Sequence, residues 1–214
     1  MRVLAIETAS EACSVALFEG GNLIAHDHRV LGRGHAEYLI PMIGALPGKG
    51  RADQILVSLG PGSFTGVRVG LAAARALGIA WKAEVLGYPT LALVAAMARM
   101  KAGLPSDAHE ITVCMNAGHG EWFIADFDAD GRPETQVASL SPEAAAQRGA
   151  YACIAGNRAR ELAETQTDEL FQPFETLPNA ASVDGLLDDC LTRDLTPIYG
   201  RAPDATPQKP RKVV

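Results

Sequence analysis

Missing from this sequence of 214 residues is any apolar run of the length a membrane span requires. The N-terminal "MRVLAIETAS" carries one positive charge and a short apolar stretch, too short for a secretory signal. A cytoplasmic protein away from membranes is therefore expected. An excess of basic charge is missing too, with 19 Lys and Arg against 25 Asp and Glu, a net charge of −6. That balance argues against a self-sufficient nucleic-acid binder, although it permits a local basic patch. Cys13, Cys114, Cys153 and Cys190 are widely spaced, with no CxxC pair and no nearby histidine pair. Free, mostly buried thiols are expected, and neither a zinc site nor a disulfide frame. His26, His28, His35, His109 and His119 form no cluster of the kind zinc catalysis uses, so no metal site is expected.

What remains is ordinary globular composition, 48% hydrophobic and 21% charged, at a length that suits one large or two small domains. Residues 2–7, 13–18 and 22–30 read as an antiparallel meander, separated by turns at Thr8–Glu11 and Glu19–Asn22. "GHAEYLIPMIGALPG" reads as a helix, kinked or restarted at Pro41. "DQILVSLG" has the continuous apolar character of a buried parallel strand. A long helix over about 66–82 follows, then the strand "EVLGYP" and a helix capped by Thr90 that stops at Gly103.

From about residue 106 the pattern restarts with "EITVCMN" and "EWFIADFD" as strands. Ser141-Pro142-Glu143 opens a helix, "YACIAG" is a strand, Asn157 opens another helix, and 179–193 reads as the last. The division expected is 1–105 and 106–200, with a proline-punctuated, basic tail at 201–214 expected to be disordered.

The most unusual stretch is "LGPGSFTGVRVG" at 59–70. As a dinucleotide loop its glycines are misplaced, Pro61 removes a backbone donor and Phe64 crowds the approach. As a nucleophile elbow it lacks GxSxG spacing around Ser63. Ser63 and Thr65 are better explained as caps of the following helix. That helix places Arg68, Arg75 and Lys82 seven residues apart on one stripe, and is otherwise almost wholly small or apolar. Such a helix needs cover on nearly all sides, from its own domain or from a partner protein. "AIETASEACSVAL" reads as strand, acid, Thr/Ser turn and strand, the outline of the phosphate hairpin in the actin-like ATPase and sugar-kinase fold. Glu7 and Thr8 are the only cofactor candidates it offers, and no glycine follows Glu7.

Taken together, "LAIETASEACSVALFEGG", "GHAEYLIPMI", "SLGPGSFTGVRVGLAAARALG" and "GYPTLALVAA" resemble the TsaB family, densely over about residues 1–100. "NAGHGEW" and "PIYGR" at 197–201 are weaker echoes, with Asn116 and Gly118 standing where that family commonly has Asp and Arg. The resemblance implies an actin-like (ASKHA) α/β fold of two subdomains with mixed sheets, the second reduced. It implies a non-catalytic subunit that binds and activates a TsaD-like threonylcarbamoyltransferase acting on tRNA, with a TsaE-like ATPase joining the assembly. ATP and metal would then belong to the partner subunits, tRNA would be reached through the complex, and the isolated chain could self-pair. "GYPTLALVAAMA" contains no histidine where the TsaD paralogue starts its metal-binding helix, which agrees with a non-catalytic role. The partner surface expected comprises His35, Tyr38, Leu39 and Met42, then Ser63, Phe64, Thr65, Val67, Arg68, Leu71, Ala74, Arg75 and Gly78. On that expectation Leu71→Glu or Gly78→Arg abolishes association and leaves the monomer folded. Two other classes stay open from the residues alone: a stand-alone actin-fold ATPase or phosphotransferase using Glu7, and, less favoured, a metallopeptidase.

Overall fold

The computed structural model describes residues 1–101, 110–166 and 171–201. The expected helix stop at Gly103, His109 and the tail from 202 onward lie outside the described residues.

The first half is built on strands β1 (Arg2–Glu7), β2 (Ala12–Glu19), β3 (Asn22–Val30), β4 (Gln54–Ser58) and β5 (Glu84–Tyr88). They pair in the order β3-β2-β1-β4-β5; the first three are antiparallel, and β4 and β5 run parallel to β1. Helix α1 (His35–Ala45) connects β3 to β4, α2 (Phe64–Trp81) connects β4 to β5, and α3 (Thr90–Met100) follows β5. The second half repeats this plan with β6 (Ile111–Gly118), β7 (Glu121–Phe127), β8 (Ala138–Leu140), β9 (Cys153–Ala155) and β10 (Gln172–Phe174). Its order is β8-β7-β6-β9-β10, with β6–β7–β8 antiparallel and β6–β9–β10 parallel. Two copies of one mixed-sheet topology make the actin-like fold that the sequence leads one to expect. The second copy is reduced in its helices, α4 (Pro142–Arg148) and α5 (Ala159–Glu164), each under eight residues, and in β8, β9 and β10, which have three residues each.

Layering follows from burial. Leu39, Met42 and Ile43 of α1 and Val67, Leu71 and Ala74 of α2 pack on one face of the first sheet with Leu4, Ile6, Val15, Ile55 and Val57. The other face (Ala5, Ala16, Leu56) meets Leu93 of α3 and Ala180 and Val183. The opposite side of α3 packs on Ile111, Val113 and Phe123 of the second sheet, and α4 and α5 cover that sheet's far face. Held between two sheets, Leu91 through Ala96 of α3 are all buried, and its exposed residues, Arg99 and Met100, lie in the last turn.

Several local readings are corrected. The stretch 179–193 is two 3-10 turns, Ala180–Gly185 and Asp188–Cys190, and not a helix. Gly185, the last residue of the first turn, sits against Met100 and Ala96 of α3. The segment from 180 on touches both halves: Leu186 and Cys190 pack against the core of the second sheet, while Thr192 exchanges backbone bonds with Gly87 and Ile198 N–H donates to Leu59 O at 2.8 Å. Thr90 is the first residue of α3 and Pro89 its cap; the Thr90 hydroxyl instead bonds the Ser58 hydroxyl at 2.6 Å. Asn157 precedes α5 and bridges the halves, donating to Glu11 at 3.2 Å while its carbonyl accepts from Asn116 N–H. Helix α1 runs unbroken through Pro41. Strands β8 and β10, three residues each, have no counterpart in the sequence reading.

Ser63 caps α2 as expected, its hydroxyl accepting from Gly66 N–H at 3.2 Å, whereas Thr65 lies within the first turn and is not a cap, and the helix ends at Trp81 with Lys82 as its left-handed C-cap. Ser63→Ala is expected to lower stability by about 1 kcal/mol, the usual worth of such a cap; a urea midpoint equal to wild type would remove that assignment.

Candidate interaction surface

The glycines of "GPGSFTGVRVG" serve close backbone packing. A Cβ at Gly62 would overlap the Ala9 carbonyl, one at Gly66 the Thr8 carbonyl, and one at Gly70 the Thr8 hydroxyl. The loop therefore lies directly against the β1–β2 turn, locked there by Ser63 N–H to Ala9 O at 2.7 Å and by Thr8 Oγ1 to Gly66 O at 2.8 Å. Glu7 and Thr8, the cofactor candidates, have no exposed surface. Glu7 Oε1 accepts from Ala9 N–H at 2.7 Å and Oε2 from the Tyr88 hydroxyl at 3.4 Å. Burial pushes the Glu7 carboxyl up to about 7. These two residues are thus structural parts of the turn. Among the described residues no group of three or more His, Cys, Asp or Glu is placed to hold a metal ion. Burial also pushes the Cys13 thiol up to about 11 and Cys114 up to about 12, which makes both poor nucleophiles. No described helix is long and apolar enough to cross a membrane. Asn116 and Gly118 shape the β6–β7 turn: the Asn116 side chain accepts from Gly118 N–H, and Gly118 has φ +74°.

The expected partner surface divides in two. His35, Leu39, Met42, Val67, Leu71, Ala74 and Gly78 are buried within the first half. His35 Nε2 lies 3.1 Å from Ala12 O, and a Cβ at Gly78 would press on Val85. Leu71→Glu and Gly78→Arg would accordingly disrupt the fold, so neither isolates an interface. Tyr38, Ser63, Phe64, Thr65, Arg68 and Arg75 do face outward.

Between them the structure adds residues that the sequence did not single out. Ala72, Ala76, Ile79 and Ala80 are exposed at i, i+4, i+7 and i+8, one continuous face of α2. Ile79 is 83% exposed. On the adjoining α1 the outward residues are Ala36, Tyr38, Ile40, Pro41, Gly44 and Ala45, with Glu37 the one charge; Ile40 is 51% exposed. Two neighbouring helices thus turn small and apolar faces to solvent, a feature that marks protein–protein contact sites. The Arg68–Arg75–Lys82 stripe runs beside this crest and not through it.

The tRNA N6-adenosine threonylcarbamoyltransferase (TsaD) family model matches residues 29–183 of the chain. The Escherichia coli tRNA threonylcarbamoyladenosine biosynthesis protein TsaB is 34% identical over 157 residues, 69% of this chain and 66% of that protein. The Haemophilus influenzae TsaB is 37% identical over 100 residues, 44% of this chain. The matched stretches thus span 66% and 41% of those two relatives' own lengths. Among solved structures, a Pseudomonas aeruginosa protein described as similar to the peptidase YeaZ superposes with a TM-score of 0.76 at 27% identity. That superposition covers 94% of this chain and 99% of the other.

Proposed function

The chain belongs to the TsaB family, and on that premise we propose that it is a docking subunit in the formation of threonylcarbamoyladenosine in tRNA. In this reading it binds and activates a TsaD-like threonylcarbamoyltransferase, which supplies the catalytic metal and nucleotide chemistry. A TsaE-like ATPase joins the assembly, and in the absence of partners the same face pairs two copies of the chain.

The observation that carries the reading is the crest of α1 and α2. A monomer that exposes Ile79 and Ile40 beside a row of alanines leaves apolar surface in water, and a partner helix pair would bury it. The small side chains allow helix backbones to approach closely, so that ridges of one pair can fill the grooves of the other. The alternative of a stand-alone ATPase using Glu7 draws no support from the site, because Glu7 and Thr8 are enclosed by the 60–66 loop.

Ile79→Arg, combined with Ala76→Arg, is expected to abolish co-purification with the TsaD-like subunit. The thermal midpoint should stay within a few degrees of wild type, since both positions are exposed. Retention of tight binding by the double variant would remove the crest as the docking surface.

A further inference from the structure

The arginine stripe that runs beside the crest ends in an aromatic cluster. Phe64, in the first turn of α2, is 57% exposed, and Tyr199 of the C-terminal segment is 53% exposed. Their ring centroids are 6.0 Å apart at an interplanar angle of 33°. Arg68 Cζ lies 3.7 Å from the Phe64 centroid, and Arg68 Nη2 donates to the Tyr199 hydroxyl at 3.2 Å. Two rings and a guanidinium are therefore held together at the surface before any ligand arrives. Tyr199 is fixed from behind as well: Ile198 is bonded to Leu59, and Gly200 packs against Phe123.

From this cluster the stripe continues to Arg75, whose Nη2 donates to Leu195 O at 3.0 Å, and to exposed Lys82. Helix α2 contains neither Asp nor Glu. From Arg68 to Lys82 the stripe measures about 21 Å at the rise of an α-helix.

We propose that this flank of α2, from the Phe64–Arg68–Tyr199 cluster along to Lys82, binds single-stranded RNA. The combination decides the ligand class. Bases stack on aromatic rings and guanidinium planes, and a row of cations tracks the phosphates between them. An acidic peptide would satisfy the cations and leave both rings in water. A duplex would satisfy the cations but keep its bases stacked on one another. An unpaired strand uses both features. The inference rests on the reading of the chain as part of a tRNA-modifying assembly, and it assigns to this subunit direct contact with unpaired nucleotides of the substrate. The overall charge of −6 makes this contact weak and strongly dependent on salt.

The test uses the full chain and a fluorescein-labelled single strand of about 12 nucleotides, followed by anisotropy, with a duplex of the same length as comparison. Neutralisation of phosphates by Arg68, Arg75 and Lys82 predicts an affinity that falls about 20-fold between about 50 and 200 mM salt. Arg75→Gln with Lys82→Gln should reduce that dependence to about threefold. Phe64→Ala and Tyr199→Ala, each at an exposed position, should weaken single-strand binding roughly tenfold and leave the thermal midpoint near wild type. Three results would overturn the proposal: no binding by wild type at the lower salt, equal binding of strand and duplex, or variants that bind RNA as wild type does. Variants that lose the TsaD-like subunit yet keep full RNA affinity would mark the cluster as a protein contact, and also overturn it. Ile79→Arg with Ala76→Arg should leave RNA binding intact, so failure of docking and failure of RNA contact are read separately.

Discussion

Gly66→Ala is expected to yield little or no folded protein. The added methyl would overlap the carbonyl oxygen of Thr8, a backbone atom with nowhere to go. The β1–β2 turn cannot retreat, because Thr8 is fully buried and its hydroxyl bonds Gly66 O while Ala9 O accepts from Ser63 N–H. The first turn of α2 would have to lift instead, and Val67 and Leu71 would leave the core of the first sheet with it. Ordinary overpacking costs about 1–3 kcal/mol; loss of this seating adds exposed core and broken hydrogen bonds, for a total above about 4 kcal/mol. The better helix propensity of alanine returns at most about 1 kcal/mol. Against a typical stability of about 5–15 kcal/mol, that loss is severe. Gly44→Ala is the matched control, since nothing lies within 4 Å of its added methyl. It should be neutral or slightly stabilising. Soluble yield and urea midpoints distinguish the two, and a Gly66→Ala protein as stable as wild type would refute the seating described.

The second large effect concerns pH. Burial raises Glu7 from its ordinary 4.5 to about 7. Between these values the folded protein holds a proton that the unfolded chain has released. Stability from this group is therefore complete below about 4.5 and is lost as pH rises through about 7. The span corresponds to about 3 kcal/mol. Glu7→Gln has no charge to bury, and its amide oxygen can still accept from Ala9 N–H. The variant should be more stable than wild type at pH 8, by up to about 3 kcal/mol, and the gap should close as pH falls toward 5. Urea melts of both proteins at each pH unit measure the gap. Parallel profiles would mean that the carboxyl is not buried as described.

Much of this architecture was legible in the residues. The β1–β2–β3 meander announced itself through short strands bounded by Thr8–Glu11 and Glu19–Asn22, and "DQILVSLG" through its unbroken apolar run. Strands β8 (ASL) and β10 (QPF) left no trace because three residues cannot display an alternation and neither has the continuous apolar run that marked the equally short β9. The stretch 179–193 has helix-compatible residues, yet it forms two 3-10 turns whose Ala180 and Val183 are buried against the first sheet, a tertiary placement that local preference does not reveal. The interaction surface was half legible for a related reason. In a helix that is small or apolar almost all round, periodicity cannot say which side the sheet takes. Leu71 and Ile79 look alike in sequence, yet one is core and the other is nearly bare. The seating of Gly66 and Gly70 on Thr8 and of Gly78 on Val85 sets the rotation of α2, and with it which face meets solvent.

The return of residues 180–198 to the first sheet bears on how the chain can be made. Ala180 and Val183 close the face that holds Ala5 and Ala16, and Thr192 borders the edge of β5. A nascent chain that has just completed α3 at Met100 therefore carries an unfinished first half. At about 5–20 residues per second, ribosomes need roughly 5–20 s more to deliver Ile198. Throughout that interval the apolar underside of the first sheet waits for chain that does not yet exist. Folding of the first half thus waits on residues that lie about a hundred positions beyond α3, and a nascent chain stalled or released before them would be a natural client for chaperones.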